Sequence, residues 1–548
     1  MITERTRERI ALAMLVLAAL WLRVPGLAKP FDREFGGHAN AFFAIAAVNY
    51  EREGAWKHAG YPSVRIDGPA VVSDDVVGTR EDDAVSIYVN HPPTVPLLAW
   101  SSVRALGPAG WGERWRDGLA PLGIESALRL PFLALHVLGL VALWWAVRPA
   151  IGARAALLAV AFAGIAPVGV TYGPLVNYEN AVMPFVLVTL GAWIRHARDG
   201  SRRMLALAAS ASFVGGCITW APLAFAVAIT IDAAFRARWK LAVRAAFVVG
   251  GAAAIPLGAH VLLARASGAV RGNVLERVPV VLGPIVESPL LALAWLRVQI
   301  GHAVESIGIA MLALAAFAIV AWTVRSWRER ASRRITTLPR VDPAFEAAPL
   351  VLGALVYLLA FHRHTLEPQR MFQLALVPGA AACAASAVDW IAARGSSLRT
   401  ALAAALVLVV AVESVIRTRT IQRHMHARGA HDGPDGDGTI RVPLPTTAGA
   451  DIASATPRGW IAVIPPGTGL HLAAGYYAWR NVVIASSPRA LGGIRALHPS
   501  SRTQRACALT PVAPEPGSAD AAASFEREIP PEAEWRFTSR GWRIWWLP

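Results

Sequence analysis

Charged residues are scarce in this chain of 548 residues, in which Asp, Glu, Lys and Arg together make up 16%. Soluble proteins carry roughly a quarter charged residues, so this composition argues against a soluble globular chain. Cysteine is scarcer still, with three residues in all. Cys217 and Cys383 fall inside apolar segments and Cys507 stands alone near the C-terminus, a spacing that indicates neither a disulfide framework nor a thiolate metal site.

Apolar residues, by contrast, make up 55% of the chain and occur in long blocks. Several blocks approach the ~20 residues that span a bilayer as a helix. The first, 10–27, follows a basic segment, but no small-x-small cleavage site comes after it. We therefore expect an uncleaved first helix, with a cleaved signal peptide as the alternative. The fold class that follows is an α-helical polytopic membrane protein.

The net charge of +16 would also suit a nucleic-acid partner. The arginines, however, lie in short loops between the apolar blocks, as in loops that are retained in the cytoplasm. Nucleic acid is therefore not expected as a partner. Placing the basic clusters on the cytoplasmic side of a plasma or inner membrane predicts about eleven spanning helices, a cytoplasmic N-terminus and an extracytoplasmic C-terminal region. The predicted helices cover 9–28, 127–147, 154–171, 179–195, 203–219, 221–236, 244–265, 302–324, 347–362, 372–392 and 399–417.

Segment 94–106 is apolar but short for a span, and it contains Pro96. If this segment crossed the membrane, every later basic loop would move to the outside. We therefore expect it to be a re-entrant or interfacial part of the first outer loop.

The outer side carries the longest polar segments of the chain. Residues 1–420 form the predicted membrane domain, whose largest outer loop, 29–126, is acidic. A linker rich in Gly and Asp follows at 421–438. Residues 439–548 are predicted to form a small extracytoplasmic α/β domain. Its first strands are expected at 460–465 and 481–486.

Candidate functional residues fall on this outer side. Asp32 and Glu34 follow the first helix, where a carboxylate can act as a general base; the alternative is a pair of solvated flanking charges. His91 precedes two prolines, which fix an extended chain and hold the side chain near the membrane as a phosphate ligand or proton carrier. Asn177 and Glu179 stand between two apolar runs, where an ionisable group indicates function and helix capping by Asn177 is the alternative.

A fourth polar cluster lies between two later apolar blocks. His362, Arg363 and His364 begin it and Arg370 ends it. Two histidines at this spacing suit a metal, but no convincing third ligand is adjacent, and anion binding or interfacial snorkelling explains the arginines equally well. No metal site is therefore assigned, although a divalent cation remains open as a cofactor. The four clusters together predict a site at the outer interface.

The order of several motifs resembles the GT-C superfamily of membrane glycosyltransferases. Asp32 follows the first helix, and the stretch 37–50 is similar to a family segment ending in Asn-Tyr. Next come Asn-His-Pro-Pro at 90–93, Leu-Arg-Leu-Pro at 128–131 and Val-Asn-Tyr-Glu at 176–179. The likeness is greatest to the bacterial branch related to protein O-mannosyltransferases and lipid A aminoarabinose transferases, and it covers roughly residues 1–420.

This resemblance implies an enzyme that moves a hexosyl or pentosyl group from a polyprenyl-phosphate donor, with inversion, to a lipid, glycan or protein acceptor on the extracytoplasmic face. Asp32 or Glu34 would activate the acceptor, and His91 with nearby arginines would hold the leaving phosphate. His38 and Asn40 come from the same motif stretch and are implied to bind substrate. The alternatives are a transporter or flippase, a polysaccharide polymerase or ligase for cell-envelope glycans, and a membrane scaffold.

Departures from the family pattern concern the same motifs. Arg33 separates two carboxylates that are adjacent in many relatives, so the identity of the base stays open between them. Val48 replaces the usual Arg, and Thr94 replaces the usual Leu after the two prolines.

Overall fold

A computed structural model describes residues 3–29, 35–63, 87, 89, 91–113, 123–235, 238–267, 289–332, 348–360, 370–393, 396–427, 431–432, 439–440, 456, 460–464, 481–484, 488, 505–511, 519–539 and 542–547. Helices dominate this part of the chain, as the apolar blocks predict. They are α1 Glu4–Arg23, α2 Phe35–Glu53, α3 Thr94–Leu106, α4 Glu125–Ile151, α5 Ala153–Ile165, α6 Pro167–Tyr172, α7 Tyr178–Asp199, α8 Arg202–Gly216, α9 Ala221–Phe235, α10 Trp239–Arg244, α11 Gly251–Ala266, α12 Pro289–Ile307, α13 Ile309–Ser332, α14 Ala348–Ala360, α15 Val377–Ala392 and α16 Ser397–Ala427.

The helices and strands divide between two compact units. The first comprises Met1–Gly26, Phe132–Ala259 and Arg277–Ile421. The second comprises Leu27–Pro131, His260–Glu276 and Gln422–Pro548.

Each predicted span overlaps helical structure within the described residues, but the span 154–171 is interrupted at Ala166, between α5 and α6. Within the described residues, five helical segments are long and apolar enough to cross a membrane, or six when one bent pair is counted as a single span. Three further apolar helices, α5, α9 and α14, are shorter than 18 residues. The polytopic helical fold is therefore confirmed, whereas the count of eleven spans stays a prediction. The qualifying segments are Glu4–Gly26, Glu125–Ile151, Trp239–Ala266, Gln373–Ala392 and Ser397–Gln422.

The first unit contains a sharp break that the hydropathy pattern does not indicate. The prediction of one uninterrupted helix over 302–324 is wrong, because Gly308 has a φ of 103° and the axes of the two segments on either side of it differ by 113°. Glu413 on α16 accepts hydrogen bonds from the backbone N–H groups of Ile309 (2.7 Å) and Ala310 (2.8 Å). The carboxylate thus satisfies donors that the first turn of α13 leaves open.

The α7–α8 hairpin of the first unit is delimited by capping residues. Asn177 caps the start of α7, since its side chain accepts from the backbone N–H of Asn180. Gly200 ends α7 in the left-handed conformation, with a φ of 67°. Ser201 then caps α8 through the N–H of Met204. These turn residues place the basic end of α7 directly beside the start of α8.

In the second unit α2 packs against α3, the segment expected to be re-entrant or interfacial. A buried cluster of Tyr61, Ile87, Val89 and Ala264 brings the outer loop against α11.

The C-terminal part of the second unit forms a small α/β fold built on one sheet, which confirms the predicted architecture. Its five strands are β3 Ile461–Ile464, β4 Asn481–Ile484, β5 Ala506–Pro511, β6 Glu534–Ser539 and β7 Trp542–Leu547, in the order β4-β3-β5-β7-β6. β3 runs parallel to both β4 and β5, whereas β7 is antiparallel to β5 and β6. Phe525 of α17, Ala519–Arg527, packs on the sheet. Within the predicted linker, β1 His431–Asp432 pairs with β2 Thr439–Ile440.

Candidate functional site

The chain on both sides of the predicted catalytic carboxylates is held by one arginine. Asp32 and Glu34 themselves lie outside the described residues. Arg129 of α4 donates from Nε to the Asn40 side-chain oxygen (3.2 Å) and from Nη1 to the carbonyl oxygen of Leu27 (3.0 Å) and to that of Lys29. Its guanidinium therefore joins the end of the first helical segment to the start of α2.

This arginine has a positioning role that its motif did not reveal. Arg129 is only 2% exposed, and three backbone or side-chain oxygens share its donors. The planar guanidinium suits such a fork of acceptors better than an ammonium group does. Asn40, predicted to bind substrate, serves here as one of those acceptors. His38 also lies on α2, but its side chain is not described.

Two tyrosines fasten the chain that leaves α2. The Tyr50 hydroxyl donates to the Gly60 carbonyl (2.5 Å), and the Tyr61 hydroxyl lies 2.5 Å from Nδ1 of His260 on α11. Burial raises the pKa of both phenols above the ordinary value, so they stay neutral and keep their protons as donors. Asn49 adds a bond from its amide to the Ser63 carbonyl (2.7 Å).

His91 and a surface cavity both belong to the second unit. His91 is half-buried and lies shortly before α3 begins; its rigid placement by the two prolines stays a prediction. A cavity of about 410 Å³ is lined by both acidic and basic side chains, together with the Gly-rich turn after α3. The charged lining residues are Glu51, Arg52, Arg104 and Glu113.

In the first unit Asn177 is shown to be a helix cap. Its side-chain oxygen accepts from the backbone N–H of Asn180 (2.7 Å), and its amide nitrogen donates to the carbonyls of Tyr172 (3.1 Å) and Leu175 (3.2 Å). The capping alternative is therefore confirmed, and both amide donors are engaged within the protein. A direct role for Asn177 in substrate binding stays a prediction.

Glu179, one turn into the same helix, is buried and makes a long-range contact. Its Oε1 accepts from the hydroxyl of Tyr357 on α14 (3.0 Å). Its Oε2 has no hydrogen-bond partner within the described part of the chain. A buried carboxylate oxygen of this kind is costly unless a partner satisfies it, and a functional role for Glu179 stays a prediction.

Arg23, His136 and Asn180 form a buried cluster that the sequence did not indicate. Arg23 is fully buried and donates from Nη1 to the carbonyls of Ala19 (2.7 Å) and Gly164 (2.9 Å), whereas its Nε and Nη2 have no partner among the described residues. Asn180 donates from its amide nitrogen to backbone carbonyls, so its side-chain oxygen must accept from Nδ1 of His136, 3.0 Å away.

Two glycines make room for this cluster. A Cβ on Gly169 would lie 3.1 Å from Nη2 of Arg23, and one on Gly173 would lie 2.9 Å from its Nε. Only a residue without a side chain lets the guanidinium lie this close to the backbone. The available signal was an arginine at the end of an apolar helix, which is rare unless it is functional or paired.

The fourth predicted cluster is described only in part. His362, Arg363 and His364 lie outside the described residues. Arg370 begins a short 3₁₀ turn, Arg370–Ala375, that packs against α6, α7 and α12, although its side chain is not described. Within this turn the Gln373 amide donates to the side-chain oxygen of Gln299 on α12 (2.9 Å). The structure thus brings the turn that carries Arg370 next to the helix that carries Asn177 and Glu179.

No metal centre is evident in what the structure describes: no three His, Cys, Asp or Glu side chains there lie close enough together to hold an ion.

Comparisons with known proteins agree with this architecture. A family model described as "Dolichyl-phosphate-mannose-protein mannosyltransferase" matches residues 123–263, which include Arg129, His136, Asn177 and Glu179. No curated protein sequence matches. The structure is similar to ArnT from Cupriavidus metallidurans bound to undecaprenyl phosphate, with 12% identity, 99% of this chain and 98% of that chain covered, and a TM-score of 0.56. It is also similar to the oligosaccharyltransferase AglB from Archaeoglobus fulgidus in complex with an inhibitory peptide and a dolichol-phosphate, with 12% identity, coverage of 95% and 71%, and a TM-score of 0.58.

These matches confirm the resemblance predicted from the motifs. The chain has the fold of the GT-C membrane glycosyltransferases. The family that it matches acts with a sugar carried on a lipid phosphate, so the predicted enzyme class, a glycosyltransferase that uses a lipid-linked sugar, is supported as well.

Proposed function

We propose that this protein transfers a single sugar from a polyprenyl-phosphate carrier to an acceptor on the extracytoplasmic face of the plasma or inner membrane. The single observation that carries the proposal is the clamp formed by Arg129. It ties Leu27 and Lys29 to Asn40, and so holds both ends of the short segment that contains Asp32 and Glu34. A catalytic carboxylate must be placed to within a fraction of an ångström, which such a clamp provides.

The proposed reaction is a direct displacement. Asp32 or Glu34 takes the proton from an acceptor hydroxyl or amine, whose heteroatom then attacks the anomeric carbon. The bond from that carbon to the phosphate oxygen breaks, its electron pair leaves with the polyprenyl phosphate, and the anomeric configuration is inverted. Cationic and hydrogen-bond donor groups stabilise the phosphate as its charge develops.

Residues of two segments are proposed to supply those donors. His91, just before α3, is proposed to offer its imidazole to a phosphate oxygen. Arg363 and Arg370, with His362 and His364, come from the segment that leads into the 3₁₀ turn. Arg129 is not proposed as a phosphate ligand, because the hydrogen bonds that position the chain already occupy it.

Glu179 is proposed to bind a polar group of the substrate. Its Oε2 lies buried without a partner in the described residues, while Tyr357 orients the other oxygen. A sugar hydroxyl or an acceptor amine would satisfy that oxygen. His38 and Asn40, on the first turns of α2, are proposed to lie beside the bound acceptor. The hydrogen bond from Arg129 fixes the position of the Asn40 side chain there.

The orientation of the chain follows from the arginines: the N-terminus is proposed to be cytoplasmic and the C-terminal domain extracytoplasmic. The undecaprenyl phosphate bound by ArnT and the dolichol-phosphate bound by AglB support a lipid-phosphate donor here. The acceptor is proposed to be a lipid, a glycan or a protein. The alternatives are a transporter or flippase and a polysaccharide polymerase or ligase for envelope glycans, and the following assay separates a flippase from a transferase.

The test uses membranes that contain the full-length protein and a panel of radiolabelled polyprenyl-phosphate sugars. Release of polyprenyl phosphate together with transfer of the label to an endogenous acceptor supports the proposal. Asp32→Asn and Glu34→Gln should differ, one abolishing transfer, while Asp83→Asn in the same acidic loop leaves it unchanged. Full activity in both of the first two variants would remove the proposed site. Movement of label across the membrane with the donor intact would indicate a flippase, and treatment with EDTA followed by Mg²⁺ or Mn²⁺ tests for a divalent cation.

A further inference from the structure

A second cavity lies in the first unit, at the basic end of the α7–α8 hairpin. Its volume is about 580 Å³, and it is bounded by the end of α7, the start of α8 and the π-helical segment Ala245–Gly250 that joins α10 to α11. The cavity is lined by polar and apolar side chains, among them His196, Arg202, Leu205, Ala206, Arg244 and Val248. None of them takes part in the proposed transfer reaction, and the lining contains no carboxylate.

A buried histidine fixes the position of one of the arginines. His196 is 2% exposed, and its Nδ1 lies 3.0 Å from the carbonyl oxygen of Ser201. Its Nε2 lies 3.0 Å from Nη1 of Arg244. A guanidinium has donors only, so Nε2 must accept and Nδ1 must donate to the carbonyl. The imidazole is therefore neutral in this arrangement, and it orients the Arg244 guanidinium without balancing its charge.

The positive charge of the cavity is uncompensated in the part of the chain that is described. Neither Arg202 nor Arg244 forms an ion pair with a described carboxylate. Neighbouring Arg195 is used differently: its guanidinium stacks on Trp145 at 3.9 Å and donates to the carbonyls of Gly191 and Trp145. Two exposed arginines that share one cavity repel each other unless an anion lies between them.

The remaining walls of the cavity are apolar and continue into the outer surface of the bundle. Leu205, Ala206 and Val248 line it beside the arginines. Exposed apolar side chains follow on the same helices, with Val243 55% and Phe247 78% exposed. In a membrane protein such a surface faces acyl chains. A ligand that suits both parts has an anionic headgroup and a hydrocarbon tail.

We infer that this cavity binds the headgroup of an anionic phospholipid of the bilayer, with the phosphate between Arg202 and Arg244. Basic pockets between helices at a membrane surface are suited to such headgroups, and each nearby arginine contributes about 1 kcal/mol, or roughly fivefold in affinity, to the attraction. Two arginines together predict a preference of about 25-fold over a zwitterionic lipid.

Native mass spectrometry of the purified full-length protein tests this inference. The protein is titrated in detergent with dioleoylphosphatidylglycerol or dioleoylphosphatidylcholine, and thermal stability is followed in parallel. The wild type should bind the anionic lipid preferentially and gain stability from it. Arg202→Gln combined with Arg244→Gln should remove most of the preference. Arg203→Gln, which changes the adjacent exposed arginine outside the cavity, is the matched control and should retain it.

Several results would overturn the inference. Equal binding of the two lipids by the wild type is one, and equal loss of preference in Arg203→Gln is another. An inorganic phosphate arm separates the sources of the anion: stabilisation by phosphate alone, to the same extent as by lipid, would mean a soluble anion site. Arg202→Lys, which keeps the charge, should fold and retain most of the lipid preference; its failure to do so with intact stability would also contradict a headgroup site.

Discussion

Replacing Arg129 with lysine should reduce sugar transfer far more than it reduces stability. The substitution keeps the positive charge but removes the planar fork that reaches Asn40, Leu27 and Lys29 together. A lysine ammonium can satisfy part of this set, so at least one of these buried or part-buried oxygens loses its partner. An unsatisfied buried acceptor costs about 1–3 kcal/mol, and we expect a loss of about 2 kcal/mol in the free energy of unfolding.

The effect on catalysis should be larger, because the clamp holds both ends of the segment that carries Asp32 and Glu34. A displacement of about 1 Å at a reacting group is able to cost roughly 100-fold in rate. We therefore expect kcat for transfer to fall by about 100-fold while KM for the donor changes little. The measurements are initial rates with the radiolabelled donor and thermal unfolding in detergent.

Arg154→Lys provides the matched control. Arg154 is 77% exposed and lies 3.7 Å from Asp389, a surface ion pair of little energetic weight. Its replacement should leave both kcat and stability close to wild type. The clamp is not needed for catalysis if Arg129→Lys transfers sugar at the wild-type rate, or if it loses activity only in proportion to the unfolded fraction. Faster maleimide labelling of Glu34→Cys in the Arg129→Lys background, with the native cysteines removed, would show directly that the segment has become loose.

Three further substitutions test local packing through the thermal midpoint of the purified protein. Gly173→Ala should lower the thermal midpoint by several degrees, because the new Cβ would lie 2.2 Å from the Gly169 carbonyl oxygen. The control Gly258→Ala, where a Cβ has no atom within 4 Å, should be neutral or stabilising. Equal effects of the two substitutions on the midpoint would contradict the close approach at Gly173. Glu413→Gln should cost about 1 kcal/mol by weakening the cap of α13, and an unchanged midpoint would show that the cap is energetically unimportant. Asn177→Ala should cost about 1 kcal/mol and Asn177→Ser should recover most of it, whereas equal losses would argue against capping.

The local sequence pattern was sufficient to predict the helical segments and several of the residues at which they begin or end. Each apolar block coincides with helical structure, because a bilayer-length run of apolar residues has few alternatives to a helix. Asn177 was recognised as a candidate cap from its type and place, since capping is a contact between neighbours in the chain. Two strands of the C-terminal domain were predicted near their observed positions at Ile461–Ile464 and Asn481–Ile484 for the same local reason.

The helix break at Gly308 shows where local pattern stops. A single glycine inside an apolar run predicts a small cost to the helix and not a bend of 113°. The bend is accompanied by a carboxylate from Glu413, more than a hundred residues later in the chain, which takes over the open backbone donors. A contact of that sequence separation leaves no trace in the local hydropathy.

The candidate site also combines features that the local sequence predicts with features that depend on long-range contacts. Composition and spacing along the chain were enough to predict the membrane character, the helical segments and the order of motifs that led to the glycosyltransferase class. The contacts of individual polar side chains came only from the folded structure: Arg129 as a clamp and Tyr357 as the partner of Glu179. It likewise decided that Arg23 is buried beside two glycines. The physical reason is that a buried donor or acceptor is satisfied by whichever group folding brings near it, and that group is set by the packing of helices distant in sequence.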